Sequence, residues 1–310
     1  MATRIGPDVP ADVLTIVDAL PVLSGDDRVI DRLSGGLTNF NYKVSTPSGK
    51  FVLRISPPGA ELLSIDRGNE HHNSVRADRV GVGAPVLAYD PGLSALVVGF
   101  IEGSTFDDGS FKVPGNIERV ARSVRRLHTA ERFQLDFDMF VLQRKYLGIV
   151  QERGFRLPDR YLEFAPIADR IKAACAVRFE GTVPCNNDLL AANFIDDGED
   201  VRIIDYEYSG NNDACFELGN IWSECHLSDD GLERLLLAYY GRPLRNKNAR
   251  ARLLGLMGQY GWTLWGSIQD ATSSLDFDFW AWAMEKYERA LVTFTSSELD
   301  RLIDEVQRED

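Results

Sequence analysis

The amino-acid sequence predicts an α+β protein of two lobes, in which a small antiparallel sheet with one helix precedes a larger, mainly helical lobe. Up to about residue 101, short segments rich in β-forming residues are separated by turns that contain glycine or proline. From about residue 104 onward, apolar residues recur at the three- and four-residue spacing of amphipathic helices. The length of 310 residues suits two such units.

Five strands and one helix are predicted in the first lobe. The segment KFVLRIS alternates between polar and apolar side chains, and Pro47-Ser48-Gly49 forms the turn before it. The polar, charged stretch at residues 66–80 is compatible with a helix. The strands are predicted at residues 28–33, 40–46, 50–56, 86–89 and 95–101.

Five helices and one small hairpin are predicted in the second lobe. The hairpin consists of two short apolar segments at residues 193–195 and 201–204. The helices are predicted at residues 117–128, 166–179, 231–240, 249–265 and 279–299. The change of pattern puts a boundary after Gly103, so that residues 1–103 form one lobe and residues 104–310 the other. A cleft between two lobes is a common place for a ligand to bind.

The acidic composition narrows the classes of function. Aspartate and glutamate number 47 against 34 lysines and arginines, which gives a net charge of −13. A nucleic-acid binder needs a basic face to neutralise phosphates, so we expect no nucleic acid as a partner. The sequence has neither a long apolar run nor a basic amino terminus followed by one, so we expect no transmembrane segment, no signal peptide and a cytoplasmic protein. The four cysteines form no Cys-x-x-Cys pair, which favours buried free thiols over a zinc site or disulfides.

A glycine pair between the first two predicted strands is a candidate phosphate-binding loop. Gly35 and Gly36 would let backbone N–H groups approach an anion closely, and Thr38 and Asn39 add side-chain donors. The alternative is a plain hairpin turn, because short glycine motifs recur by chance.

The predicted hairpin carries the stronger signal. Asp188 and Asn193 lie five residues apart on the loop that enters it, and Asp205 ends its second strand. We expect these three oxygen-bearing side chains to converge, as Mg²⁺ and a phosphoryl acceptor require. Capping of turns by aspartate and asparagine is the alternative, which this spacing disfavours.

These motifs resemble those of the aminoglycoside phosphotransferase and choline kinase superfamily, which has a protein-kinase-like fold. The family pattern H-x-D-x-x-x-x-N followed by I-D-[FW]-E is similar to N-N-D-L-L-A-A-N and I-D-Y-E here. The resemblance implies that Asp188 is the catalytic base and that Asn193 and Asp205 bind magnesium. It also implies that Arg54 holds the α- and β-phosphates of ATP and pairs with Glu70.

The choline/ethanolamine kinase family is the branch that the sequence resembles further. Two regions carry this likeness, the segment from Asp205 to Glu224 and the W-x-L-W-x-x-x-Q motif that begins at Trp262. Aromatic faces and a carboxylate are what a quaternary ammonium needs, since it has no hydrogen to donate. The resemblance implies a cation pocket made by Trp262, Trp265, Phe277 and Trp282, with Glu224 as the counter-charge. Aromatic residues at this spacing are also common in a hydrophobic core.

The acidic residues after the hairpin add to this interpretation. We expect Glu207, Asp213, Glu217 and Glu224 to lie where a cationic alcohol would enter. One departure from the family pattern is Asn186, which stands where the family has a histidine before the catalytic aspartate.

The sequence therefore predicts an ATP- and Mg²⁺-dependent kinase of a small amino alcohol, with choline favoured. A kinase of another hydroxylated amine (ethanolamine, an aminoglycoside or a thiamine-like alcohol) is the alternative within enzymes. A catalytically silent module that binds a nucleotide or a cation is the second alternative, and Asn186 is the feature that motivates it. The oligomeric state is left open, with a homodimer among the options.

Overall fold

A six-stranded sheet organises the first lobe in the computed structural model, which describes residues 3–25, 27–57 and 59–310. The strands are β1 (Arg4–Ile5), β2 (Val29–Arg32), β3 (Phe40–Thr46), β4 (Gly49–Ile55), β5 (Val86–Asp90) and β6 (Ala95–Gly99). They lie in the order β1-β2-β3-β4-β6-β5, and every pair is antiparallel except β1 with β2. The five predicted strands are present, and the short β1 adds an edge that its two residues could not signal.

Two α-helices accompany the described part of this sheet, so the prediction of one helix is wrong. The helices are α1 (Ala11–Ala19) and α2 (Arg67–Arg79). Helix α1 buries Val13 and Val17, one turn apart, in the same apolar core as the sheet residues Ile30 and Leu53. Its apolar stripe is short, and a nine-residue helix is hard to recognise from so few positions.

Helix α2 links the two lobes through polar contacts. Asp66 caps its first turn by accepting the N–H of Asn69 at 2.9 Å. The Nδ2 atoms of Asn69 and Asn73 both donate to the backbone oxygen of Ser209, at 2.8 and 3.2 Å. On the apolar side, Ala77 belongs to the core of the second lobe rather than to that of the sheet. This helix therefore holds the sheet against the helical lobe.

The second lobe is built around one long helix. Its helices are α3 (Asn116–Leu127), α4 (Met139–Arg153), α5 (Ala165–Val177), α6 (Ala214–Glu224), α7 (Asp229–Tyr240), α8 (Arg245–Thr272), α9 (Phe279–Phe294) and α10 (Glu298–Val306). Helix α8 runs for 28 residues, and α4, α6, α9 and α10 pack around it. Residues 249–269 of α8 are buried on every face, so the predicted helix at 249–265 is present but longer.

Two helices of this lobe were not predicted, and one predicted helix is two helices in the structure. Helix α6 has only 11 residues and contains Gly219 and Asn220, which have low helix propensity. Helix α4 lacks a clear apolar stripe, and the prediction missed both. The single helix predicted at 279–299 is two helices, α9 and α10, because the chain turns at Thr295-Ser296-Ser297.

Five short strands complete the described fold. They are β7 (Ser104–Thr105), β8 (Val183–Cys185), β9 (Phe194–Asp196), β10 (Val201–Ile203) and β11 (Gly210–Asn212). The predicted hairpin is present as β9 and β10, and β7 pairs with the free edge of β9. A Cβ atom on Gly103 would lie 2.3 Å from the backbone oxygen of Asp196, so the chain needs a glycine where it leaves the first lobe. The boundary after Gly103 stays a prediction.

Two further sequence-based expectations can be compared with the structure. All four cysteines are buried and free, as expected. Among the residues that the structure describes, no helix is both long and apolar enough to cross a membrane.

Helices α6 and α8 cross closely at Gly219 of α6 and Gly255 of α8. This close crossing predicts that a larger residue at Gly219 destabilises the fold. A Cβ atom on Gly219 would lie 2.0 Å from the backbone oxygen of Ala251, which belongs to a helix that cannot easily move. We therefore expect Gly219→Ala to lower the free energy of unfolding by about 1–3 kcal/mol, measured by urea denaturation followed by circular dichroism. Gly148 in α4 is the matched control, since a Cβ atom there meets nothing within 4 Å. Gly148→Ala should be neutral or stabilise by up to about 1 kcal/mol, and equal effects of the two changes would contradict the close crossing.

Candidate active site

A cavity of about 540 Å³ lies between the two lobes and collects most of the predicted site residues. Its lining includes the predicted residues Gly35, Gly36, Thr38, Arg54, Asp188, Asn193, Asp205, Glu224, Trp262, Trp265 and Trp282. Three predicted residues lie outside the lining. Asn39 and Glu70 stand directly behind it, while Phe277 is 42% exposed and packs on Phe279 with ring centroids 4.8 Å apart.

The loop that carries Asp188 is held from behind by Glu217. The two carboxylate oxygens of this fully buried residue accept the backbone N–H groups of Asn186 and Asn187, at 2.8 and 2.7 Å. Glu217 also lies within 4.8 Å of His128 and Cys185, a combination that could suggest a metal. Burial raises the pKa of the Cys185 thiol well above its usual value, and both carboxylate oxygens of Glu217 are already engaged by the loop N–H groups. Glu217 therefore acts on the loop.

Asn186 joins this loop to the end of β10. Its Nδ2 donates to the backbone oxygens of Ile204 and Asp205, at 3.2 and 2.8 Å, and its Oδ1 accepts the N–H of Asp188 at 3.1 Å. Asp205 has a φ of +64°, in the left-handed region that few residues other than glycine adopt. The two hydrogen bonds from Asn186 flank the Asp205 peptide and hold it in this conformation.

Asp188 lies half-buried in the cavity among other carboxylates. Burial, together with the negative charges of Asp205, Glu207 and Glu224, raises the pKa of Asp188 well above its usual value. Asn193 donates its Nδ2 to the backbone oxygen of Asp188 at 2.7 Å, which leaves the amide oxygen of Asn193 as the atom that could bind a metal. A carboxylate and an amide oxygen beside Asp188 form a hard-oxygen donor set, which fits Mg²⁺.

Arg54 is the main positive group of the site. From β4 it makes an ion pair with Glu70 at 3.0 Å, a second with Asp205, and a longer contact of 3.6 Å with Glu207. Burial alone would lower the pKa of Arg54, but Asp205, Glu70 and Glu207 raise it above its usual value. The predicted pairing of Arg54 with Glu70 is thus present in the geometry. One guanidinium connects the sheet, helix α2 and the end of the hairpin.

Glu207 organises the glycine loop, a role that the sequence interpretation missed. The Thr38 hydroxyl donates to it at 2.7 Å and the Asn39 amide at 2.8 Å, and Arg67 contributes a further bond at 3.1 Å. The side chains of Thr38 and Asn39 are therefore engaged by a carboxylate of the other lobe. Gln269 of α8 adds a bond of 3.1 Å from its Nε2 to the backbone oxygen of Leu37.

The expectation that four acidic residues line the path of a cationic alcohol needs a correction. Asp213 caps α6 and makes a 2.6 Å ion pair with Arg250, and Glu217 binds the loop as described. Neither lines the cavity, whereas Glu207 and Glu224 do. Asp213 and Glu217 are close to Glu207 in the sequence, but the first turns of helix α6 place them away from the cavity.

Three tryptophans form an aromatic wall on one side of the cavity. Trp262 and Trp265 project from α8 and are 3% and 5% exposed, and Trp282 comes from α9. The rings of Trp265 and Trp282 have centroids 5.1 Å apart, and the Trp265 indole N–H donates to the Tyr208 hydroxyl at 2.9 Å. Trp262 meets the Tyr208 ring edge-on at 4.9 Å. These contacts fix the orientation of the wall.

A buried lysine lies against the aromatic wall, and the sequence analysis did not predict it as a site residue. Lys286 of α9 makes an ion pair with Glu224, and its Nζ lies 4.1 Å from the centroid of the Trp282 ring. Lys286 follows Trp282 by four residues, so the helical spacing could have revealed that both occupy one face. The charge of Glu224 is therefore balanced within the chain.

The comparisons with known proteins agree with this geometry. A family model described as choline/ethanolamine kinase matches residues 30–231. The chain belongs to the choline/ethanolamine kinase family. A crystal structure of a choline/ethanolamine kinase family protein from Mesorhizobium loti superposes with a TM-score of 0.84 at 31% identity, covering 96% of this chain and 98% of that one.

Two curated relatives show how far the similarity extends. Ethanolamine kinase 2 of Homo sapiens is 30% identical over 318 residues, which covers 92% of this chain and 81% of that protein. Protein LicA of Haemophilus influenzae is 28% identical over 212 residues, which covers 66% of this chain and 61% of that protein. The match thus spans about three fifths of the LicA protein. The predicted family and the predicted two-lobed protein-kinase-like fold are confirmed.

The carboxylate cluster generates a prediction about pH. Since the pKa of Asp188 is raised, the folded chain holds this proton more tightly than the unfolded chain. The free energy of unfolding therefore falls as the pH rises from the usual pKa of an aspartate to the raised pKa of Asp188. Asp188→Asn removes the charge. We expect it to raise the melting temperature by about 2–4 °C near pH 8, with no gain near pH 4, in scanning fluorimetry without metal or nucleotide. A variant that is less stable at pH 8, or a pH-independent difference, would contradict the assigned charge environment.

Proposed function

We propose that this chain is an ATP- and Mg²⁺-dependent kinase that transfers the γ-phosphoryl group of ATP to the hydroxyl of a small amino alcohol, with choline favoured. One observation carries the proposal. The oxygen cluster of Asp188, Asn193 and Asp205 shares a single cavity with the aromatic wall of Trp262, Trp265 and Trp282. Phosphoryl chemistry and recognition of an organic cation are thus available within one site.

Asp188 is the proposed catalytic base. Its carboxylate faces the cavity, and its elevated pKa favours acceptance of the proton that the attacking hydroxyl releases. Asn186 accepts the Asp188 N–H, and Glu217 accepts the N–H groups of the two preceding residues, so the carboxylate is positioned before the substrate binds.

The nucleotide is proposed to bind beneath the glycine loop. Gly35 and Gly36 have φ values of +90° and +94°, and a Cβ atom on Gly35 meets nothing within 4 Å, so the backbone there is open to a phosphate. Thr38 and Asn39 shape this loop through Glu207. Arg54, oriented by Glu70, is the proposed ligand of the α- and β-phosphates.

Asn193 and Asp205 are the proposed magnesium ligands. Their amide and carboxylate oxygens lie in the same cavity as Asp188, and hard oxygens are the donors that Mg²⁺ prefers. When bound, Mg²⁺ neutralises charge on the transferring phosphoryl group. Arg54 makes an ion pair with Asp205, so Asp205 is held next to the proposed phosphate-binding region by its own counter-charge.

The aromatic wall is proposed to bind the ammonium of the alcohol. A cation gains about 0.5–2 kcal/mol from each aromatic face that it contacts, depending on desolvation. Glu224 lies at this wall as a neutral pair with Lys286. Phe277 stays a prediction, since it lies one ring away from Trp265, behind Phe279. A cytoplasmic location and a homodimer stay predictions as well.

Incubation with radiolabelled ATP, Mg²⁺ and separate amino alcohols tests the proposal directly. We expect transfer to choline at the highest kcat/KM among choline, ethanolamine, an aminoglycoside and a thiamine-like alcohol. Asp188→Asn should lower kcat by about 1,000-fold or more while nucleotide still binds in equilibrium dialysis. If ATP binds but no alcohol is phosphorylated, the chain is a silent nucleotide-binding module. If Asp188→Asn keeps wild-type turnover, Asp188 is not the base.

A substitution in the aromatic wall tests the choline site. Trp262→Leu keeps apolar bulk but removes the aromatic face, so we expect the KM for choline to rise about 2–30-fold and the KM for ATP to change little. Trp280→Leu is the matched control, because Trp280 is not part of the cavity lining. The Trp280 ring packs instead against Arg156, whose guanidinium carbon lies 3.9 Å from the ring centroid. An equal rise of both KM values in Trp262→Leu would remove Trp262 from the choline site.

A further inference from the structure

The buried ion pair beside the aromatic wall has the chemistry of a primary-ammonium site. Lys286 is 5% exposed and Glu224 is 9% exposed. The lysine Nζ combines a carboxylate partner with the face of the Trp282 ring at 4.1 Å. A carboxylate and an aromatic face are also the groups that would receive the ammonium of a small amino alcohol. The chain therefore fills this position with its own cation.

Both carboxylate oxygens of Glu224 already have a hydrogen-bond partner within the chain. One carboxylate oxygen holds Lys286, and the other accepts the Ser223 hydroxyl at 3.2 Å. Ethanolamine carries three N–H donors that lose water when the alcohol is buried, and leaving such donors unpaired is costly. Choline has no N–H donor, so it loses no hydrogen bond at an aromatic wall.

We propose that Lys286 is a specificity-determining residue that favours a quaternary over a primary ammonium. By neutralising Glu224 and covering one face of Trp282, it removes the acceptor that ethanolamine needs. Trp262 and Trp265, which also line the cavity, are left for the trimethylammonium group. This inference rests on the proposed function, because it concerns how the same site selects its alcohol.

The test compares kcat/KM for choline and ethanolamine in three variants. Lys286→Met keeps the length of the side chain but frees the Glu224 carboxylate, so the preference for choline should fall about tenfold or more through a lower KM for ethanolamine. Lys286→Arg keeps the charge and should retain the wild-type preference. The double variant Lys286→Met with Glu224→Gln carries no free carboxylate at this position, so its choline-to-ethanolamine ratio should return to within about threefold of the wild-type ratio. The KM for ATP should stay near the wild-type value in all three, which separates a selective role from general damage to the fold.

Two outcomes would overturn the role of Lys286. One is an unchanged choline-to-ethanolamine ratio in folded Lys286→Met. The other is a more than tenfold loss of choline affinity in the double variant, since Glu224 would then bind the substrate itself. This second outcome can be measured even if the uncompensated charge of Glu224 prevents Lys286→Met from folding. Turnover of neither alcohol by the wild-type chain would contradict the proposed function, whereas wild-type turnover with an unchanged ratio contradicts this inference alone.

Discussion

The buried guanidinium of Arg54 is the interaction on which the rest of the site depends. Asp205 and Glu207 follow β10 within three residues of each other, and Glu70 faces them from α2. These three carboxylates, two of them buried, would repel one another unless a fixed positive charge lay between them. Arg54 supplies that charge from the sheet, and Arg67 adds a second contact to Glu207. The lobes are thus held together by the same charges that shape the cavity.

Helix α8 couples the two halves of this site on its other side. The close crossing of α8 and α6 at Gly219 and Gly255 fixes the position of α8 relative to α6. The middle turns of α8 bring Trp262 and Trp265 to the cavity. One turn further on, Gln269 holds the backbone of the glycine loop. A single rigid helix therefore positions the aromatic wall and supports the loop that is proposed to cover the nucleotide. Displacement of α8 would therefore disturb both the aromatic wall and the glycine loop.

Which contacts of the site could be predicted from the sequence depends on how far apart the two partners lie along the chain. Asp188, Asn193 and Asp205 could be grouped in advance, because they belong to one local loop and hairpin whose spacing carries the signal. The contact of Thr38 with Glu207 spans 169 residues and that of Lys286 with Glu224 spans 62, so no local pattern announces either. Helix α6 was not predicted because its 11 residues include Gly219 and Asn220, which have low helix propensity.

Asn186 shows why a departure from a motif has to be judged by its hydrogen bonds. In this chain it accepts from the Asp188 backbone and donates to two carbonyls at the end of β10, so it ties the proposed base to the proposed metal ligand Asp205. A side chain with one acceptor and one amide donor is enough for that connection. Glu217 anchors the same loop independently through two backbone N–H groups. The loop is therefore fully supported without a histidine, and the substitution by itself gives no reason to regard the site as silent.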